Sequence, residues 1–539
     1  MTQHIFYDSE TTGPEPRFDQ VLQLAAIKTD DDFKSLDEID ERSRFAGHII
    51  PTAMAMKVTH VNPYDVARAR HSAYDFARMA HATFTEWAAG DETGFEGYNT
   101  IRYDEEIMRQ MWWENLLDPY LTSGKGKYRS DYLIMMRAVY ARNPEIIAIP
   151  KNEETGKNNF KLENIAPLNG FPEGNAHDAL DDVRATIHIA RLIRDTDPAL
   201  YEHMFKMGNA NIAKDFVDDN QIFQLVGGQM VDPGVLDCCL IASEGQNPKN
   251  KSAWNLAIDP TPFLDLTPEQ ILEEMKKPNT PFRTVKCNKQ PAAFPMNWEF
   301  LNRVSNDVFE PADNKTIDAR AEIILENADF QANTAEALRL RSGSYGAAET
   351  LEEKIYEGFP SWADKDRMKD FHAAPTWEQR LDIVRSFDKP ELRQLGVRTI
   401  YNNGKHALPE TTQKACAEKL DEQRFTLEMG KPWTTVGSVM AELDDLLEAS
   451  PEDDEMLNMR AWVLETFPIA NEWTGVPEQD EEVESEISTP QTGPSDDVSP
   501  QAEDKIDEEA KIPSAAKDHA PTVAAKPASS EAHYLDGLG

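Results

Sequence analysis

Hydrophobic residues fall into two rhythms along the first third of this chain. The short runs His4–Tyr7 and Val21–Ile27 read as strands. Elsewhere the apolar positions recur every three or four residues. Phe76, Met79, Ala80, Phe84 and Trp87 form such a stripe within Ser72–Ala89, and Ala179, Val183, Ile187, Ala190 and Ile193 form another within Asp178–Arg194. Helices are also predicted over Asp104–Leu117, Asp131–Ala141 and Lys161–Leu168, the last closed by Gly170 at the C′ position. A strand approach leads into Gly97-Tyr98-Asn99. Strands alternating with helices predict an α/β sheet covered by helices over residues 1–196.

A boundary is expected at Asp195–Pro198. Residues 197–352 mix short strands (Ile222–Val226, Trp254–Ile258, Thr284–Cys287) with a helix over Thr267–Met275 that carries Pro268 in its first turn. Residues 353–475 read as mainly helical, with Trp377–Ser386, Pro390–Tyr401, Thr411–Phe425 and Val436–Ala449 as the elements. From 476 to 539, Pro, Ser, Glu, Asp and Ala dominate, and Tyr534 is the one Phe, Tyr or Trp. Such a segment buries too little apolar surface to fold alone, so a disordered acidic tail is expected.

Composition narrows the class. The chain has 539 residues, 40% of them hydrophobic, enough for several cores. No apolar run is long enough for a membrane helix, and the N-terminus lacks the pattern of a signal peptide. The four cysteines, Cys238, Cys239, Cys287 and Cys416, form neither a disulfide framework nor a CxxC pair. Together these features predict a protein of the reducing cytoplasm with no membrane partner. The formal charge is −41. Residues 471–539 hold 17 Asp/Glu against 4 Lys/Arg, so a charge of −28 stays on the rest. That argues against a nonspecific duplex-coating protein, but it leaves room for an enzyme that meets phosphate through bound cations.

Three contexts carry candidate chemistry. In Ile5-Phe6-Tyr7-Asp8-Ser9-Glu10 a strand runs into two carboxylates on one face, which repel unless a cation lies between them. Hard oxygen donors of this kind suit Mg²⁺ or Mn²⁺, although a solvated strand end would read the same way. In Gly97-Tyr98-Asn99-Thr100-Ile101-Arg102-Tyr103-Asp104 a loop delivers Asp104 to a helix N-terminus, where aspartate also serves as an ordinary cap. In Asn175-Ala176-His177-Asp178-Ala179-Leu180-Asp181-Asp182, His177 precedes a helix that contains Asp182. Five residues are about 500° of helix, so the two reach a common point only if His177 sits in the preceding loop. His177 could equally be a capping or solvent histidine.

Taken together and in this order, DxE, Tyr-Asn…Tyr-Asp and His-x4-Asp resemble the DEDD exonuclease superfamily, histidine subtype. The stretches GYNTIRYDEE (97–106), NFKLENIAPLNG (159–170) and NAHDALDDVRATIHIARLI (175–193) are similar to the bacterial exonuclease I family within it. The segments TVKCNKQP (284–291) and YEGF (356–359) with Asp364 extend the likeness to about residue 470, more sparsely. The resemblance implies an RNase-H-like exonuclease domain (1–196), an SH3-like α+β domain (197–352), a helical domain (353–475) and the tail (476–539). Lys161 stands where the family usually has arginine; the charge is kept and the bidentate fork is lost.

The resemblance also implies an activity: 3′→5′ degradation of single-stranded DNA to 5′-mononucleotides, in DNA repair and recombination. It assigns Asp8, Glu10, Asp104 and Asp182 to two Mg²⁺ ions, with Mn²⁺ able to substitute, and makes His177 the general base. It places Thr11 near the terminal nucleotide and implies a monomer; Tyr98, Arg102, Tyr103, Phe160 and Lys161 in the motif loops are candidates to line a single-strand groove of basic and stacking residues, although aromatics at such positions also serve simply as core. It further implies docking of the acidic C-terminal peptide of single-stranded-DNA-binding protein on a basic ridge in the region of Lys286 and Lys289. Three other readings remain open. One is an RNase or proofreading-type exonuclease on the same core. Another is an inactive nucleic-acid-binding module. The third is an enzyme inhibited by its own tail.

Overall fold

The structure is a computed structural model that describes residues 2–90, 92–153, 155–172, 178–229, 232–301, 312–343, 346 and 348–475. His177 and the tail expected at 476–539 lie outside the described residues. Strands β1 (Gln3–Thr11), β2 (Val21–Thr29) and β3 (Ser35–Arg42) open the chain. Two short helices, α1 (Ala53–Val58) and α2 (Pro63–Val66), follow, and then α3 (Ala73–Trp87), capped by Ser72. Next come β4 (Thr93–Gly97), α4 (Asp104–Glu114), β5 (Lys127–Asp131) and α5 (Tyr132–Arg142). Helices α6 (Leu162–Leu168) and α7 (Ala179–Thr196) complete this part.

The first sheet has the order β3-β2-β1-β4-β5. The first three strands are antiparallel, while β4 and β5 run parallel to β1. Alternation along β1 sends Ile5 and Tyr7 to one face, where Phe76, Phe84, Ile107 and Trp112 of α3 and α4 cover them. Phe6 points to the other face, against Tyr132 of α5 and Val183, Ile187 and Ala190 of α7. This is the helix-covered α/β sheet expected, with an RNase-H-like strand order. Gly170, at φ +91°, stands just past the C-cap of α6 as expected.

The chain continues through α8 (Pro198–Met207) and α9 (Ala210–Asp219) into β6 (Ile222–Gln229), β7 (Asp232–Ser243) and β8 (Asn250–Asn255). Helix α10 (Pro268–Met275) has a full capping box at Thr267 and leads to β9 (Phe282–Lys286) and β10 (Ala293–Pro295). The second sheet, β10-β6-β7-β8-β9, is antiparallel throughout. Helices α11 (Asn314–Leu325) and α12 (Ala328–Gly343) pack on it around Trp254, Phe282 and Phe330. The strand expected at Trp254–Ile258 lies earlier, at Asn250–Asn255. Its polar residues Asn250, Lys251 and Ser252 are buried between two neighbouring strands, and Lys251 Nζ donates to Asp218 at 2.6 Å and to Ser243 at 2.8 Å.

The boundary at Asp195–Pro198 is a bend between packed helices. Leu200 and Met204 of α8, with Val235, Ala292 and Phe294, share one core with α5 and α7. The final part is helical: α13 (Trp362–Ala373), α14 (Trp377–Ser386), α15 (Pro390–Asn403), α16 (Glu410–Gln423), α17 (Val436–Ala449) and α18 (Asp454–Thr466). It docks on the first part through two clusters. One joins Leu22, Ile50 and Met56 to α17 and α18, and the other joins Tyr74, Trp113 and Leu116 to α13–α15. Among the described residues no helix is long and apolar enough to cross a membrane, and all four cysteines are buried free thiols.

Candidate metal centre

Asp8 and Glu10 leave β1 on the same face as Phe6, toward α7. The register with β2 shifts between Glu10 and Thr11, which bends the strand where the carboxylates emerge. Asp182 sits in the first turn of α7, whose N-cap Asp178 accepts from the amides of Leu180 (3.2 Å) and Asp181 (3.4 Å). Carboxylate oxygens of Asp8, Glu10 and Asp182 all lie within 4.8 Å of one another. Asp104 opens α4 and is 5% exposed; its Oδ1 accepts from Ser9 Oγ at 2.5 Å.

The loop that delivers Asp104 is organised by a residue the sequence marks only as a helix start. Asp131 accepts from the amides of Asn99 (2.9 Å) and Ile101 (3.2 Å) while it caps α5 through Leu133 (2.9 Å). Asn99 takes the left-handed conformation at φ +63°. Gly97 passes so near β1 that a Cβ would stand 2.6 Å from the Tyr7 carbonyl. Behind the loop, the buried carboxylate of Glu105 binds Tyr7 Oη (3.0 Å), Arg109 (3.0 Å) and Thr122.

Crowding of acids dominates the electrostatics. Burial, and then Asp104, Glu10 and Asp182, push Asp8 well above the usual carboxylate range. Burial with Asp182, Asp104 and Asp178 pushes Glu10 up to about 8, against the opposing pull of Arg42. Burial raises Asp104 to about 7 despite the Ser9 hydrogen bond, and burial with Glu163, Asp181 and Asp178 raises Asp182 to about 6. Four such acids either hold protons or hold cations. A convergent, all-oxygen, multiply anionic donor set fits a hard divalent ion.

The other expected site residues divide into three groups. Thr11 Oγ1 lies 2.6 Å from Tyr103 Oη and 3.1 Å from the Gly13 carbonyl, which also accepts from the Tyr103 phenol. That knot borders the carboxylates. Tyr98 donates to the Phe160 carbonyl at 2.5 Å; Phe160 is 7% exposed and packs edge-on to Tyr140. These two rings serve the core beneath α7. Arg102 and Lys161 are exposed, and Lys161 Nζ stands 3.4 Å from Glu163. Lys289 is not a free member of a basic ridge: its Nζ donates to Glu106 at 2.5 Å and to the Ile101 carbonyl at 3.1 Å. The bond to Glu106 crosses between parts of the fold, which no sequence pattern reveals.

Comparison with known proteins finds likenesses over most of the chain. Residues 5–190 match the exonuclease family model. Exodeoxyribonuclease I of Escherichia coli K12 is 29% identical over 382 residues, 68% of this chain and 78% of that protein. The Haemophilus influenzae exodeoxyribonuclease I is 28% identical over 487 residues, 85% of this chain and 97% of its own. Among solved structures, a moderately thermophilic exonuclease I from Methylocaldum szegediense superposes with a TM-score of 0.75 at 24% identity, covering 86% of this chain and 99% of its own. E. coli exonuclease I in complex with a dA16 oligonucleotide gives 0.74 at 23% identity, with the same coverage.

Proposed function

We propose, starting from a chain that carries the exonuclease domain at residues 5–190 and the architecture of exonuclease I over most of its length, that it removes nucleotides one at a time from the 3′ end of single-stranded DNA. The observation that carries this reading is the meeting of Asp8, Glu10 and Asp182 within 4.8 Å, with buried Asp104 beside them. Asp8, Glu10, Asp104 and Asp182 would hold two Mg²⁺ ions, for which Mn²⁺ may substitute. Bound there, divalent ions supply charge neutralisation for the attacking and leaving oxygens of an in-line phosphodiester displacement.

The protein's own residues do the rest. Ser9 and the Asp131-held loop keep Asp104 pointed at the site. His177, next to the N-cap Asp178 in the chain, takes the proton of the attacking water, work that an imidazole suits at neutral pH. Thr11 and Tyr103, tied to the Gly13 carbonyl, form the wall against which the terminal nucleotide is placed. Arg102 and Lys161, exposed beyond it, offer charge to the backbone upstream. The products are 5′-mononucleotides, and repair and recombination in the cytoplasm are the setting that fits them. By the same likeness, the middle sheet is SH3-like, the enzyme works as a monomer, and the acidic C-terminal peptide of single-stranded-DNA-binding protein is a partner.

The test is digestion of a 5′-labelled single-stranded oligonucleotide with and without Mg²⁺, beside its duplex and an RNA copy. The expected result is a Mg²⁺-dependent ladder that shortens from the 3′ end on single-stranded DNA. Equal or better cutting of RNA would move the function to RNA turnover on the same core.

A further inference from the structure

A site with four carboxylates that acts on a phosphate chain needs more than its ions to hold that chain. The cross-strand register names the residue that faces this need. Glu10 on β1 pairs with Gln23 on β2, and Gln23 pairs with Arg42 on β3. Directly paired residues share a sheet face, so all three lie on the face that carries the carboxylates. Adjacent strands lie about 4.8 Å apart, so Arg42 stands about 10 Å from Glu10 along the backbone, and its side chain can bridge most of that.

The connection between them is built. Gln23 is 2% exposed, and its Nε2 donates to Asp40 at 2.7 Å. That bond turns Gln23 Oε1 toward Arg42, whose Nη2 donates to it at 3.1 Å. Arg42 itself is exposed, and among the described residues this is the one hydrogen bond of its side chain. The nearby Arg184 is already engaged by Asp181 (3.4 Å) and Glu38 (3.7 Å). A guanidinium held by a neutral amide keeps its full charge and most of its donors for an incoming anion, and its planar fork matches phosphate oxygens. Charge on an edge strand also blocks unwanted pairing, and Glu38 and Glu41 serve that purpose on β3, Glu38 facing Arg184 at 3.7 Å and Glu41 lying 3.2 Å from His71 Nε2.

We propose that Arg42 is a phosphate-binding residue of this site, gripping a phosphate of the terminal nucleotide beside Glu10. The proposal rests on the nuclease reading above and adds to it a substrate contact on β3. Its test is calorimetric binding of thymidine 5′-monophosphate to the full chain in Ca²⁺, comparing wild type with Arg42→Ala, together with Ca²⁺ binding alone. A hydrogen bond to a charged group is worth roughly 1.5–3 kcal/mol, so the nucleotide Kd should rise about tenfold or more in the variant. Ca²⁺ affinity should stay equal or tighten, because a cation has been removed beside the acids. Nucleotide binding within about twofold of wild type, nucleotide and Ca²⁺ affinity falling together, or no nucleotide binding by wild type would each overturn the proposal. The oligonucleotide ladder on wild type separately judges the nuclease reading, whatever Arg42 does.

Discussion

Replacing Asp182 with Asn should stabilise the metal-free protein at pH 8 and do nothing of the kind at pH 5. Two unit charges no more than 4.8 Å apart repel by at least about 3.5 kcal/mol at an effective dielectric of about 20. At pH 8 Asp182 is ionised, since it titrates at about 6, and Glu10, at about 8, is half ionised. The relief is therefore about 1–2 kcal/mol, less the roughly 0.5 kcal/mol that a negative charge contributes at a helix N-terminus. At pH 5 protons have already neutralised most of the cluster, and the gain vanishes. The sign follows from linkage. Each folded-state pKa lies above its unfolded value, so the folded protein holds extra protons between about pH 4 and 8, and metal-free stability falls as pH rises through that window. Thermal unfolding in EDTA and in Mg²⁺, at both pH values, reads the effect. For a unit of about 200 residues, each kcal/mol moves Tm by about 2–4 °C. Wild type should gain several degrees from Mg²⁺ at pH 8, and the variant should start higher and gain much less. An equal loss of Tm at both pH values, with an unchanged Mg²⁺ response, would refute the metal-centre reasoning.

Further expectations follow from the same geometry. His177→Ala should lower kcat by about 10²–10⁴-fold while leaving oligonucleotide affinity nearly intact; near-normal turnover at saturating Mg²⁺ would remove its role as base. Glu106 accepts from Lys289 (2.5 Å) and from Tyr356 Oη (2.5 Å), so it joins the second sheet and the start of the helical part to α4. Glu106→Ala should raise amide exchange at 287–290 and 353–356 several-fold, and unchanged protection there would show that the bridge contributes nothing. Binding of single-stranded DNA should weaken only gently with salt, with a log–log slope shallower than about −3, since few cations are left to displace counterions; a steep slope would reveal a broad basic track.

How much of this was legible in the sequence depended on whether a residue's role is local. β1, α3 and α7 announce themselves because their apolar periods match the faces they bury, and Ser72, Thr267 and Asp178 are caps that a reader can find. β5 does not: Lys-Tyr-Arg-Ser-Asp looks like loop, yet its last four residues are buried, with Arg129 satisfied by the Asn288 carbonyl at 2.9 Å. β8 hides for the same reason, since Lys251 is buried only because Asp218 and Ser243 await it from elsewhere in the fold. The carboxylates could be picked out because each sits at the end of a recognisable element. The residues around them could not, because Ser9, Gln23, Asp131 and Arg42 take their meaning from partners 17 to 95 positions away.

The charge of −41 then becomes a matter of where the cations are placed. Several basic residues are spent on partners within the fold. Arg109 holds Glu105 at 3.0 Å, Arg398 bridges Glu352 (2.5 Å) and Glu114 (3.3 Å), and Lys57 ties the first part to Asp453 at 2.7 Å. The pairs of Arg398 with Glu114 and of Lys57 with Asp453 join the first part to the helical part, and the net charge leaves a surface that repels polyanions at long range. What remains is short-range. On the nuclease reading, divalent ions at the four carboxylates would turn this crowded acidic cluster into the place where phosphate is stabilised, and Arg42 would add a fixed donor at its rim. A protein built this way should ignore nucleic acid until its metals are bound, which makes metal occupancy, and not surface charge, the condition for substrate engagement.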